Sequence, residues 1–142
     1  MFTLKSEIGM DIAHYLHGYD GKCQNIHGHR YRLVVKVSAE ELQPTGQLRG
    51  MVDDFGNIKA ALKKISDDFD HKMLIEDNEE GQKIAGFFTE NNFGFAVVLV
   101  PYRTTVEEMS RDIFNRIKAM GVNVTEVEMY ETPTNSCIYT QN

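Results

Sequence analysis

The chain lacks any run of basic residues, any long apolar stretch and any wealth of cysteine. A nucleic-acid surface needs clustered Lys and Arg, and a formal net charge of −6 argues against one. The longest apolar run, Phe95 to Pro101, falls far short of the roughly 20 residues a membrane-spanning helix requires, so no membrane partner is expected. The opening residues, Met1-Phe2-Thr3-Leu4-Lys5-Ser6, have no apolar signal-peptide core. Cysteine occurs only as Cys23 and Cys137. Together these features predict a reduced, cytoplasmic setting, with a Cys23–Cys137 disulfide as the competing use of the two thiols.

What is present suits one globular unit. With 142 residues and a hydrophobic fraction of 42%, residues 1–142 are expected to form a single domain around a real core. Residues 2–13 read as a strand, and 15–26, rich in Gly, Tyr and Asp, as a loop. A strand then begins at His27, with Tyr31, Leu33, Val35 and Val37 alternating against more polar neighbours, and a Pro44-Thr45-Gly46 turn follows. Asp53 or Asp54 can cap a helix whose buried stripe is Phe55, Ile58, Leu62, Ile65 and Phe69. A shorter helix is expected over 82–90 and a buried strand from Phe93 to Val100. Thr104 and Thr105, with Glu107 and Glu108 three residues on, have the form of a capping box ahead of a third helix that Gly121 ends. Residues 122–131 alternate as a strand, and Cys137-Ile138-Tyr139 makes a short last one. The pattern is α+β: an antiparallel sheet covered by helices on one face.

Chemistry concentrates at His27-Gly28-His29. Two histidines two residues apart on a strand share a side, here the side of the apolar row. The intervening glycine permits close approach to the backbone. A third imidazole, from a neighbouring segment such as the one carrying His14, would complete a three-ligand centre with an open position, the arrangement of catalytic zinc. Cys23 stands beside that cluster. The competing reading is of exposed histidines on an edge strand. Cys23 is useful to catalysis only as a thiolate, and it could instead be a fourth ligand. Asp70-His71 at the end of the first helix is either a proton-transfer pair or a C-terminal cap. Glu131 closes an apolar strand as a lone carboxylate or as a solvated end. Glu107 is explained as well by capping, and His17 reads as a surface residue of the loop.

Five separated motifs, in order, carry a resemblance. Ala13-His14, Cys23-x-x-x-His27-Gly28-His29-x-Tyr31, Asp53-Asp54-Phe55, Asp70-His71 and Glu131-Thr132 resemble the pattern of 6-pyruvoyltetrahydropterin synthase-like proteins, from about Phe2 to Tyr139. The short gap between Cys23 and His27 is similar to that of the branch that forms 6-carboxy-5,6,7,8-tetrahydropterin in queuosine biosynthesis. There are departures. Arg103-Thr104-Thr105 stands where the family often has Asn-Pro-Thr, Leu74 is followed by Ile75 rather than Asn, and residues 79–100 form a longer connection.

The resemblance implies a tunnelling fold with a four-stranded antiparallel sheet and helices packed on one face. It implies Zn2+ held by His14, His27 and His29, Cys23 as general base, and Asp70 with His71 as the second proton-transfer group. Glu131, with Thr132 beside it, would grip the amino-pyrimidine edge of a pterin. The implied reaction is a zinc-dependent carbon–carbon cleavage of 7,8-dihydroneopterin triphosphate. The implied assembly is a homo-oligomer, a trimer or hexamer, in which a neighbour supplies Glu131. Pyruvoyl-forming activity, a non-catalytic zinc- or pterin-binding paralogue and a cysteine hydrolase are the alternatives.

Overall fold

The computed structural model describes residues 1–142. Its organising element is a long hairpin. β1 (Phe2–His14) and β2 (His27–Ala39) pair antiparallel without interruption, from Phe2 opposite Ala39 to His14 opposite His27. Alternation drives this pairing. Met10 and Ile12 of β1 and Tyr31, Leu33, Val35 and Val37 of β2 are buried on one face, while Arg30 and Arg32 project from the other and are exposed. β5 (Val124–Thr132) pairs antiparallel with β2, and β6 (Asn135–Tyr139) with β5.

Those four strands are the antiparallel unit expected from the sequence, but the sheet is larger. β3 (Lys72–Glu76) runs parallel to β1, and β4 (Val97–Val100) parallel to β3. The expected four-stranded antiparallel sheet is therefore corrected to six strands of mixed direction, in the order β4-β3-β1-β2-β5-β6. Parallel neighbours need a long crossover, and α2 (Glu79–Glu90) supplies it. A strand covered on both faces shows no alternation: Leu74 and Ile75 are adjacent, point to opposite faces and are both buried.

α1 (Phe55–Phe69) and α3 (Val106–Ala119) cover one face, where Ile58, Leu62, Ile65, Met109, Ile113 and Ile117 join the hairpin's buried row in one core. α2 lies on the other. Ile75 is outside that core, and a Cβ added at Gly81 of α2 would stand 2.8 Å from Ile75 Cγ2. The expectation of helices on one face thus holds for α1 and α3 alone.

Local ends follow from capping. The Asp54 side chain accepts from Gly56 N at 2.7 Å, and the Thr105 hydroxyl from Glu108 N at 3.3 Å. Asn78 accepts from Gly81 N at 2.7 Å, which starts α2 at Glu79 rather than Gln82. Phe55, at the first position of α1, is 47% exposed instead of buried. The segment Phe93 to Ala96 does not join β4. Phe93 and Phe95 are exposed and cluster with Phe87 and Phe88.

Candidate active site

The hairpin register places His14 directly opposite His27, and His29 follows on the same face. The three rings converge, with centroids 4.6 Å (His14–His27), 4.8 Å (His27–His29) and 5.2 Å (His14–His29) apart. One candidate ligand nitrogen from each lies within 4.8 Å of the others. Two of the rings are oriented by main chain. His14 Nδ1 donates to the Thr104 carbonyl at 2.9 Å, and His27 Nδ1 to the Asn25 carbonyl at 2.7 Å. A carbonyl only accepts, so Nδ1 carries the proton and Nε2 presents its lone pair. His29 Nε2 is buried with no hydrogen-bond partner.

Burial pushes His14 down to about 4, helped by His27 and His29 and opposed by the Thr104 carbonyl. Burial lowers His29 as well, against the charge of Glu131. His14 and His29 are therefore held neutral, the form that binds metal. Three converging imidazoles and an orphaned ring nitrogen fit a zinc ion with one position left open. Burial, with the nearby Glu131 charge, pushes the Tyr31 phenol up, so it stays protonated 3.4 Å from His14 Nε2.

Thr104 is the residue that sequence reasoning missed. It is fully buried ahead of α3, and its hydroxyl donates to the Tyr15 carbonyl at 3.0 Å and lies 3.2 Å from His14 Nδ1. Its signals in the sequence were its place in a capping pattern and in the Arg103-Thr104-Thr105 stretch, and neither points to a contact with His14.

Glu131 ends the row Val127, Met129 on the triad's face. Its Oε1 lies 3.7 Å from His29 Nε2 of the same chain, so the expectation that a neighbour brings this carboxylate to the triad is corrected. The Thr132 hydroxyl accepts from Asn135 N at 3.1 Å and closes the β5–β6 turn.

Asp70 and His71 form a pair, but elsewhere. Asp70 caps the end of α1, its Oδ1 accepts from Asp11 N at 2.8 Å, and its Oδ2 lies 2.9 Å from His71 Nδ1. Burial would raise the Asp70 carboxyl, yet the Asp11 N–H and His71 outweigh it and hold it below the usual carboxylate range. His71 adopts a left-handed backbone (φ 58°), pinned by its N–H to the Asp11 carbonyl at 2.7 Å. His71 borders an open groove of about 640 Å³ with Asp11, Ala13, Gly28 and Arg30, walled opposite by Phe88 and Phe95. Asp11, Ala13, Gly28 and Arg30 all alternate onto the face of the sheet away from the triad.

Cys23 sits half-buried in a short 3₁₀ turn, Lys22–Gln24, as a free thiol, and Cys137 is free too. The thiol belongs to neither cluster of potential ligands. Its loop is tied down by two contacts: the Leu16 N–H donates to the Cys23 carbonyl at 2.8 Å, and His17, exposed on the surface as expected, pairs with Glu80 of α2 at 2.6 Å. Within one chain, then, the fold gathers His14, His27, His29, Tyr31 and Glu131, and keeps Asp70–His71 on the far face.

Comparison with known proteins gives this geometry a setting. The chain is 41% identical to a 6-carboxy-5,6,7,8-tetrahydropterin synthase of Haemophilus influenzae, over 98% of this chain and 99% of that one. It is 36% identical to the protein of the same name from Rickettsia felis, over 94% and 96%. Its fold matches the solved structure of Caenorhabditis elegans 6-pyruvoyl tetrahydropterin synthase with a TM-score of 0.71 at 25% identity, covering 99% of this chain and 96% of that one. An uncharacterised Wolinella succinogenes protein shares the fold with a TM-score of 0.78 at 20% identity, over 99% and 98%. Residues 3–142 match the family described as 6-pyruvoyl tetrahydropterin synthase. With the match running almost from end to end, the chain belongs to the 6-pyruvoyl tetrahydropterin synthase family.

Proposed function

We propose that this chain is a zinc-dependent carbon–carbon lyase that converts 7,8-dihydroneopterin triphosphate to 6-carboxy-5,6,7,8-tetrahydropterin, a cytoplasmic step of queuosine biosynthesis. The observation that carries the metal half is the triad itself: three converging imidazoles, two oriented through Nδ1 by main-chain carbonyls. The product half is supported by the names of the relatives at 41% and 36% identity.

When bound, zinc supplies Lewis acidity that lowers the pKa of the substrate's side-chain hydroxyls. Glu131 accepts two parallel hydrogen bonds from the amino-pyrimidine edge of the pterin, as a carboxylate does from a guanidinium. Cys23, as thiolate, takes a proton from the substrate side chain. His71 moves the second proton, with Asp70 ionised behind its Nδ1 to orient the ring and support its charged form. Loss of triphosphate, uptake of one water and cleavage of the carbon–carbon bond would leave the 6-carboxy product, with the two outer side-chain carbons released as acetaldehyde and the dihydro ring taking up the hydrogen that the oxidised side chain gives up.

The working unit is a homo-oligomer in which one subunit's Asp70–His71 serves a neighbour's triad. Two features support this. The pair lies on the opposite face from its own triad, and the outer edge of β1 is unpaired from Phe2 to Met10 because β3 meets β1 only at Ile12 and Ala13. An open edge of that length invites a strand from another copy.

The test is to incubate the purified protein with 7,8-dihydroneopterin triphosphate, identify the product by mass spectrometry and assay metal by elemental analysis. A 6-carboxy product from protein carrying about one zinc per chain is expected, with His27→Ala and His29→Ala losing most of the metal. A pyruvoyl product, or full zinc retention in either variant, rejects the reading.

A further inference from the structure

We propose that Arg103 is an anion-binding residue that receives the polyphosphate tail of the substrate beside the three-histidine centre. The identity of the tail rests on the function proposed above. The anion site itself rests on the side chain's surroundings.

Arg103 is an unneutralised, half-buried cation. Arg30, Arg32, Arg111 and Arg116 each reach a carboxylate, whereas Arg103 reaches none; Arg49, the other arginine without one, is exposed in a turn. The chain carries 21 acidic residues against 15 basic ones, so an acidic partner was easy to supply. Burying a guanidinium without a counter-charge is costly, and such groups are seldom left unpaired. The Nε atom of Arg103 is buried and has no hydrogen-bond partner.

The side chain is also held in place. Its guanidinium carbon lies 5.4 Å from the centroid of the Tyr19 ring, a cation–π contact that holds the head group while leaving donors unused. Tyr19 belongs to the loop between His14 and Cys23, and the next residue, Thr104, holds His14 through its carbonyl. Arg103 is thus fixed by one peptide unit to the triad and by one ring to the cysteine's loop. A guanidinium presents a rigid fork of N–H donors that matches phosphate oxygens two at a time.

The experiment titrates inorganic tripolyphosphate and, separately, phosphate-free neopterin into the purified protein by calorimetry. It compares the native chain with Arg103→Met and with the milder Arg103→Gln. Chelation of a bound metal by tripolyphosphate is common to all three proteins and cancels. Loss of one charge-assisted contact should weaken tripolyphosphate about ten-fold or more, with neopterin affinity unchanged. Equal tripolyphosphate affinity in the native chain and either folded variant overturns the inference. So does parallel loss of both ligands, or a fall in oligomer mass on light scattering, since Arg103 would then brace Tyr19 or meet a neighbouring subunit. A native chain that binds tripolyphosphate through Arg103 but takes no neopterin would instead reject the pterin reading and leave this site standing.

Discussion

His14 Nδ1 lies 2.9 Å from the backbone carbonyl of Thr104, a residue 90 positions further along the chain. One hydrogen bond therefore joins the end of β1 to the start of α3 and sets which nitrogen of His14 is free. The Thr104 hydroxyl reinforces it by holding the Tyr15 carbonyl. Thr104→Val keeps the β-branched shape and removes that hydroxyl. It should cost about 1–3 kcal/mol of stability, by thermal denaturation, and weaken zinc about ten-fold or more, by competition with a chromophoric chelator. Native metal affinity in this variant would show that the main-chain carbonyl suffices alone.

The metal-free protein should lose stability in mildly acidic solution because of the same ring. Folded His14 titrates at about 4, against 6.5 for a free imidazole. Between those values the unfolded chain binds a proton that the native chain refuses, so stability falls as pH drops through the window and levels off below it. The full effect is about 3 kcal/mol, read as a fall in the urea midpoint. His14→Gln should flatten that part of the profile, and an equally steep profile in the variant would assign it to other groups.

The proposed sharing of sites between subunits makes a prediction that single variants do not. Cys23→Ala and His71→Ala should each lose about 10²–10⁴-fold in turnover with metal content intact. Unfolding the two together and refolding them into mixed oligomers should restore a measurable part of the activity, because some sites then receive a native cysteine and a native histidine. No recovery, with mixed assembly confirmed by mass, would place both residues in a single chain's own site.

Glu131 separates a pterin enzyme from any other zinc lyase. Glu131→Gln replaces one acceptor oxygen with an NH₂ that faces the pterin's own donors. Leaving such a charge-assisted pair unmade should cost about 2–5 kcal/mol of pterin affinity, with zinc content and oligomer mass unchanged. Unchanged affinity by calorimetry would reduce Glu131 to the end of a strand.

The parts of this fold that could be read from sequence are those with a clean period or a cap. The alternation from His27 to Val37 placed the histidines on the core face, and Ile58, Leu62, Ile65 and Phe69 marked α1. β3 escaped because Met73, Leu74 and Ile75 are successive apolar residues, buried or half-buried on both sides of the sheet, in only five strand positions. Phe93 and Phe95 suggested burial by their apolarity, yet they cluster with each other at the surface. The Thr104 contact and the His17–Glu80 pair were out of reach because each joins segments far apart in sequence through one polar atom. Residue identity alone also did not show that Asp70–His71 and the triad occupy opposite faces.

The triad's confinement to one hairpin bears on how a metal held there would be loaded and lost. His14, His27 and His29 meet through local β1–β2 pairing, the kind of contact that forms early in folding. The Thr104 carbonyl reaches His14 only once α3 has docked. A nascent hairpin thus offers an exchangeable centre whose first imidazole is still free to swap tautomers, and the arrival of α3 ends that freedom. Release of such an ion from the finished protein would then require the start of α3 to open locally, so the off-rate of a bound metal should follow the hydrogen exchange of the α3 amides rather than that of the strands that carry the three histidines.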